Sequence, residues 1–172
     1  MEFHVRQKPG ANPYLGLMAV GNKIIPCALG RSGITTQKRE GDGATPAGSF
    51  SLLYGYYRAD RVNRPDSMLE FQRITSKMGW CDEPSHPAYN SEVGLPFSAS
   101  HEVMTREDRL YDICIVLDYN ISTRARGKGS AIFFHQAKDG FQPTEGCVAL
   151  LPNDMRRLLP MLTRDTAMII HP

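Results

Sequence analysis

Two side chains able to do acid–base and nucleophilic chemistry stand 12 positions apart in the last third of the sequence, His135 and Cys147. His135 ends an apolar run, Ala131-Ile132-Phe133-Phe134, that reads as a buried strand. Cys147 follows Thr144-Glu145-Gly146 and opens a second apolar run, Val148 to Leu150. Cysteine chemistry needs a thiolate, a base that forms it, and donors for an oxyanion. Gly146, with no side chain, lets a substrate approach the backbone closely, and the Cys147 N–H with neighbouring amides would supply oxyanion donors. The competing reading is a buried cysteine and a satisfied strand-end histidine, and spacing alone does not choose between them.

Other reactive residues give weaker patterns. His101-Glu102 resembles the start of a zinc-protease helix motif, but Thr105 stands where the second histidine would be. Cys81, His86 and His101 have the chemistry to share a metal, against a plainer reading as loop residues; His101 is also a candidate substrate contact. Trp80 either lines a substrate groove or anchors its segment to the body. The 4 cysteines form no CxxC pair, and Cys27 and Cys114 lie in apolar stretches that suit small core residues. Gly41-Asp42-Gly43 lacks the strand-to-helix context of a nucleotide loop. No metal or cofactor is expected.

The elements that must position these residues are mostly strands. Glu2 to Arg6, Tyr14 to Val20 and Lys23 to Ala28 read as strands, with a hairpin turn at Gly21-Asn22. The glycine-rich loop 41–48 leads into Ser49 to Tyr57, whose period-two bulk predicts one buried face. Leu110 to Leu117, Ser130 to His135 and Thr166 to Ile170 read as further strands. Pro152 and Asp154 mark a helix start, and Met155, Leu158, Leu159 and Leu162 give it an apolar face that Pro160 should cut short. The middle, 58–109, carries 4 prolines and little periodicity, and reads as a long binding loop or lid. The sum is mainly β with some α, a β-sandwich with helical attachments, in a single domain over 1–172.

Bulk properties exclude several classes. A charge of +2 with scattered basic residues gives no nucleic-acid patch, and a chain 41% hydrophobic and 22% charged is an ordinary globular composition. No run is long enough for a membrane-spanning helix, and the N-terminal residues lack the basic-then-apolar pattern of a signal peptide.

Thr144-Glu145-Gly146-Cys147-Val148, with His135 upstream, resembles the signature of the L,D-transpeptidases of bacterial peptidoglycan, the YkuD-like domain. That signature is a histidine, a loop, then Ser/Thr-His-Gly-Cys and an apolar residue. A second stretch, Gly41-Asp42-Gly43-Ala44-Thr45-Pro46-Ala47-Gly48-Ser49-Phe50, is similar to the family's G-D-x-x-T-P-x-G-x-F loop. Glu145 departs from the usual second histidine, Ala149 from a common arginine, and the loop from His135 to Thr144 is shorter than usual.

The resemblance implies that Cys147 attacks a stem-peptide carbonyl and that His135 takes its proton. A diaminopimelate side-chain amine on a second stem then resolves the thioester. A carboxylate beside a thiolate opposes activation, so Glu145 is expected to point away or to hold an incoming amine. Gln136 would orient the base, and Thr144 would contact substrate. The altered motif resembles a branch that joins L-alanine to diaminopimelate, where most members join diaminopimelate to diaminopimelate. The resemblance also implies a periplasmic or cell-envelope location and acylation by carbapenem-type inhibitors. Two other readings stand beside it: a cysteine hydrolase on stem peptides, and a non-catalytic peptidoglycan-binding module.

Overall fold

Apolar–polar alternation builds the first strands. In the computed structural model, which describes residues 1–172, β1 (Glu2–Gln7), β2 (Leu15–Val20) and β3 (Lys23–Ala28) form an antiparallel meander. The Gly21-Asn22 turn joins the paired residues Val20 and Lys23, and Gly21 takes φ 55°, a left-handed conformation that a missing Cβ makes accessible. Two short strands, β4 (Ile34–Thr35) and β5 (Thr45–Pro46), pair in parallel and pin the glycine-rich loop to the body.

The next strand, β6 (Gly48–Tyr57), is the longest and carries the closure of the sheet. Along one edge it pairs first with β14 (Ala167–Ile170) and then with β7 (Phe71–Arg73); along the other it pairs with β11 (Ile113–Leu117). β12 (Phe133–Gln136) and β13 (Val148–Leu150) continue from β11 and lead back to β3, while β1 pairs in parallel with β14. The order β11-β12-β13-β3-β2-β1-β14-β6, with β6 bonded again to β11, is a ring of 8 strands. A register shift between Val116 and Leu117 bends the sheet at the closing pair. The mainly-β expectation with one short helix matches this fold, but the layers are made by one sheet closing on itself, where the sequence suggested a sandwich.

The helix α1 (Pro152–Leu158) starts with Pro152 in its first turn and passes into a 3₁₀ turn, Leu159–Met161, that accommodates Pro160. Met155, Leu158 and Leu159 join the main core with Phe3, Met18, Ile115, Phe134 and Met168. No helix is long and apolar enough to cross a membrane.

The middle segment is not the irregular loop its prolines suggested. Besides β7 it contains β8 (Met78–Cys81), β9 (Ser91–Gly94) and β10 (His101–Val103), which form a second sheet in the order β10-β8-β9. These strands have 3 or 4 residues, and β8 is buried on both faces, so no alternation advertises them. A second core, including Tyr56, Met78, Trp80, Met104, Tyr111, Phe133 and Cys147, glues this small sheet to the outer wall of the ring.

Candidate active site

Strand alternation decides which side chains of β12 reach that junction. Phe134 points into the main core, so Phe133 and His135 face the second one. β13 runs parallel to β12 with Val148 opposite Phe134, and Cys147 is the residue just before it. His135 and Cys147 open into one cavity of about 260 Å³ between ring and small sheet. The same cavity is lined by Glu102, Arg106, Tyr111, Lys138 and the segment Gln142 to Glu145.

The turn that presents the thiol is tightly tied. Thr144 Oγ1 donates to the Cys147 carbonyl at 2.7 Å and accepts from Gly146 N–H at 3.2 Å. The Thr144 backbone is held on the segment after β3, its N–H on Leu29 and its carbonyl on Arg31 N–H. Gly146 has φ 140°, and a Cβ there would lie 2.9 Å from the Ala44 carbonyl oxygen. A side chain at that position therefore meets both backbone strain and a clash. Asp42 holds the neighbouring loop together, accepting from Lys38 Nζ (2.6 Å), Arg39 N–H (2.8 Å) and Ala44 N–H (2.9 Å).

The thiol accepts from Phe133 N–H at 3.3 Å and donates to the Ala131 carbonyl at 3.2 Å. Burial first, and then the charge of Glu102, push its pKa up to about 12. His135 is 3% exposed and its imidazole stacks edge-on against Tyr111. Its Nδ1 lies 2.7 Å from the Gln136 carbonyl, which fixes the ring and leaves Nε2 as the free nitrogen if Nδ1 carries the proton. Burial drives its pKa down to about 4. At neutral pH the pair is thus thiol and neutral imidazole, the uncharged form that a low-dielectric site favours. The Cys147 N–H donates to no group of the protein.

The remaining expected site residues sort differently. Glu145 is exposed and its carboxylate pairs with Arg31, on the outer rim of the cavity. Gln136 contributes its carbonyl to His135, but its side chain, on the opposite face of β12, lines a separate cavity with Arg61 and Arg109. Trp80 is 1% exposed, bonds Asn90 through Nε1 at 3.0 Å and packs edge-on against Phe133: it is an anchor and lines no groove. His101 is bonded to the Ala99 carbonyl and lies against Phe97, outside the cavity. Ala149 packs with Ala28 and Ala137 and also lines the cavity. All 4 cysteines are free and buried. Arg106 and Tyr111 went unnoticed in the sequence and Glu102 was noted only beside His101 in a failed zinc-motif match, since nothing in their spacing ties them to Cys147.

The family model of YkuD, the L,D-transpeptidase catalytic domain, matches residues 16–170. The chain belongs to that family. The YkuD match spans both the Thr45-Pro46 loop and the Cys147 turn, the two parts that meet where Gly146 abuts Ala44. Curated proteins provide no match. Among solved structures, the Ldtfm–avibactam carbamoyl enzyme is similar at 12% identity and a TM-score of 0.42, over 99% of this chain and 49% of that one. This YkuD domain therefore spans about half the length of that structure.

Proposed function

We propose that this YkuD domain is a cysteine-dependent L,D-transpeptidase acting on peptidoglycan stem peptides at the cell envelope. The observation that carries the reading is that His135, on β12, and Cys147, just before the parallel strand β13, open into one cavity beside an unused backbone N–H. In this reading a stem peptide enters the cavity and its carbonyl sits at Cys147 Sγ. His135 takes the thiol proton as the sulfur–carbon bond forms, and hands it to the amine that leaves. The Cys147 N–H faces the oxyanion of the tetrahedral intermediate. A diaminopimelate amine on a second stem then attacks the thioester, forming the amide and returning the thiol. The Glu-Gly-Cys motif favours L-alanine–diaminopimelate links, with diaminopimelate–diaminopimelate links as the other product of the same chemistry.

Incubating the purified protein with disaccharide–tetrapeptide muropeptides tests this. Wild type is expected to give cross-linked dimers, and Cys147→Ala none, a loss of at least about 10⁴-fold, as removing a covalent nucleophile entails. Dimers at the wild-type rate from Cys147→Ala would refute the assignment. Trimmed monomers without dimers would make water the acceptor and the protein a hydrolase; unchanged muropeptides that bind would make it a binding module. Mass spectrometry of the dimers identifies the bond, and acylation of Cys147 by a carbapenem gives a second readout.

A further inference from the structure

A transpeptidase needs two partners in turn, and the second brings a proton problem. At neutral pH a primary amine arrives as an ammonium ion, which has no lone pair. One proton must leave before nitrogen can attack, and another must leave as the amide forms. His135, a free base again once its proton has departed with the leaving amine, can take only one of the two. The other passes to solvent or, faster, to a second base within the cavity.

Glu145 is the motif's own acid, but it is exposed and already occupied by Arg31. In high dielectric such a pair attracts a third charge weakly. Glu102 is placed otherwise. It lies at the end of the small sheet, in the cavity that holds Cys147 and His135, and its carboxyl accepts from the Tyr111 hydroxyl. The Tyr111 ring packs edge-on against His135, so base and imidazole are neighbours through one side chain. Arg106, whose guanidinium lies 5.1 Å from the Tyr111 centroid, is already engaged by Asp108 at 2.8 and 2.9 Å, so it moderates the Glu102 charge without neutralising it. Asp82, whose charge acts on Glu102, has a buried carboxylate oxygen with no hydrogen-bond donor. Burial raises the Glu102 pKa, and the charges of Asp82 and Glu40 raise it further against the Tyr111 and Arg106 contacts, which makes it a stronger base than a solvated glutamate.

We propose that Glu102 is the acceptor-side base, holding the ammonium of the second stem in the cavity and taking its first proton. The proposal rests on the transpeptidase reading above. In the acylated enzyme the carboxylate accepts a proton from the ammonium, giving a neutral carboxylic acid and a neutral amine. The amine attacks the thioester carbon; the carbon–sulfur bond breaks; His135 moves the second proton from nitrogen to Sγ. Glu102 then releases its proton to water, and the resting state returns with one amide formed.

The placement has a signature that a structural role lacks. The charge of Glu102 disfavours the Cys147 thiolate in the free enzyme, yet favours the ammonium once the thiol is acylated. The two half-reactions therefore respond to its removal with opposite signs. Glu102→Gln keeps the acceptor oxygen for Tyr111 and removes the charge. With disaccharide–tetrapeptide muropeptides, the variant is expected to accumulate the Cys147 thioester in mass spectra while dimer formation falls about 100-fold, the scale of a lost general base. Alkylation of Cys147 by iodoacetamide at pH 8 should instead rise about threefold, as a drop of half a unit in thiol pKa produces. Dimer formation at the wild-type rate, or acylation and transfer falling together, would overturn the proposal; preserved thioester formation also shows the variant to be folded. Failure of wild type to form any thioester would instead remove the transpeptidase reading on which this one stands.

Discussion

His135 enters the fold as a neutral ring, and that has a cost visible in stability. Its folded pKa of about 4 lies below the unfolded value of about 6.5. The unfolded chain therefore binds a proton that the folded one refuses, over the window between those values. Stability from this group is complete above about pH 6.5 and is lost as pH falls through about 4, a total on the order of 3 kcal/mol. Urea unfolding at pH 7.5 and pH 4 should show it: the loss in wild type should exceed the loss in His135→Asn by roughly that amount. The thiol and the imidazole were legible in the sequence because His135 ends one apolar run and Cys147 opens the next. Gln136 was legible too as a residue that orients the base, but it meets His135 through its carbonyl. A side chain adjacent to His135 on a strand must face the other way. Glu102 was seen only as part of a failed zinc-motif match, because the contact that ties it to the site, through Tyr111 to His135, joins segments that share no motif.

At the scale of elements, the small sheet β8–β10 is what turns a ring wall into a cavity. Its hold on the ring runs through Trp80, which meets Phe133 at 5.0 Å between ring centroids and is tied to Asn90. Asn90 in turn accepts from Ala131 N–H and donates to the Tyr119 and Asn120 carbonyls, so one side chain bridges the small sheet and the approach to β12. Truncating Trp80→Ala should cost about 3–5 kcal/mol, as large aromatic deletions in cores do. Urea unfolding would measure it, and a loss under 1 kcal/mol would show the anchor to be dispensable. Strands such as β2 and β14 could be read because one face is more buried than the other, and β11, β12 and β13, buried at every position, because each is or extends a continuous apolar run. The middle could not, since strands of 3 or 4 residues, one of them buried on both sides, give no period to detect.

For the molecule as a whole, the decisive pairings are distant in sequence: β6 with β11, β13 with β3, and β1 with β14. No local pattern announces them, which is why the ring was read as a sandwich. β14 lies between β1 and β6, so it is the stave that completes the circle. Its buried face, Met168 and Ile170, also belongs to the main core. A chain ending at Thr163 should therefore lose cooperative unfolding altogether, followed by circular dichroism during a thermal scan; a sharp transition near that of the full chain would contradict the role given to β14. The same arrangement sets an order of events during synthesis. A strand from the start of the chain waits for its parallel partner near the end, so the emerging polypeptide holds an open sheet with unpaired edges until the last strand is released. Folding is then limited by a late, long-range closure, and the interval before it is when the chain is most exposed to aggregation and to chaperones.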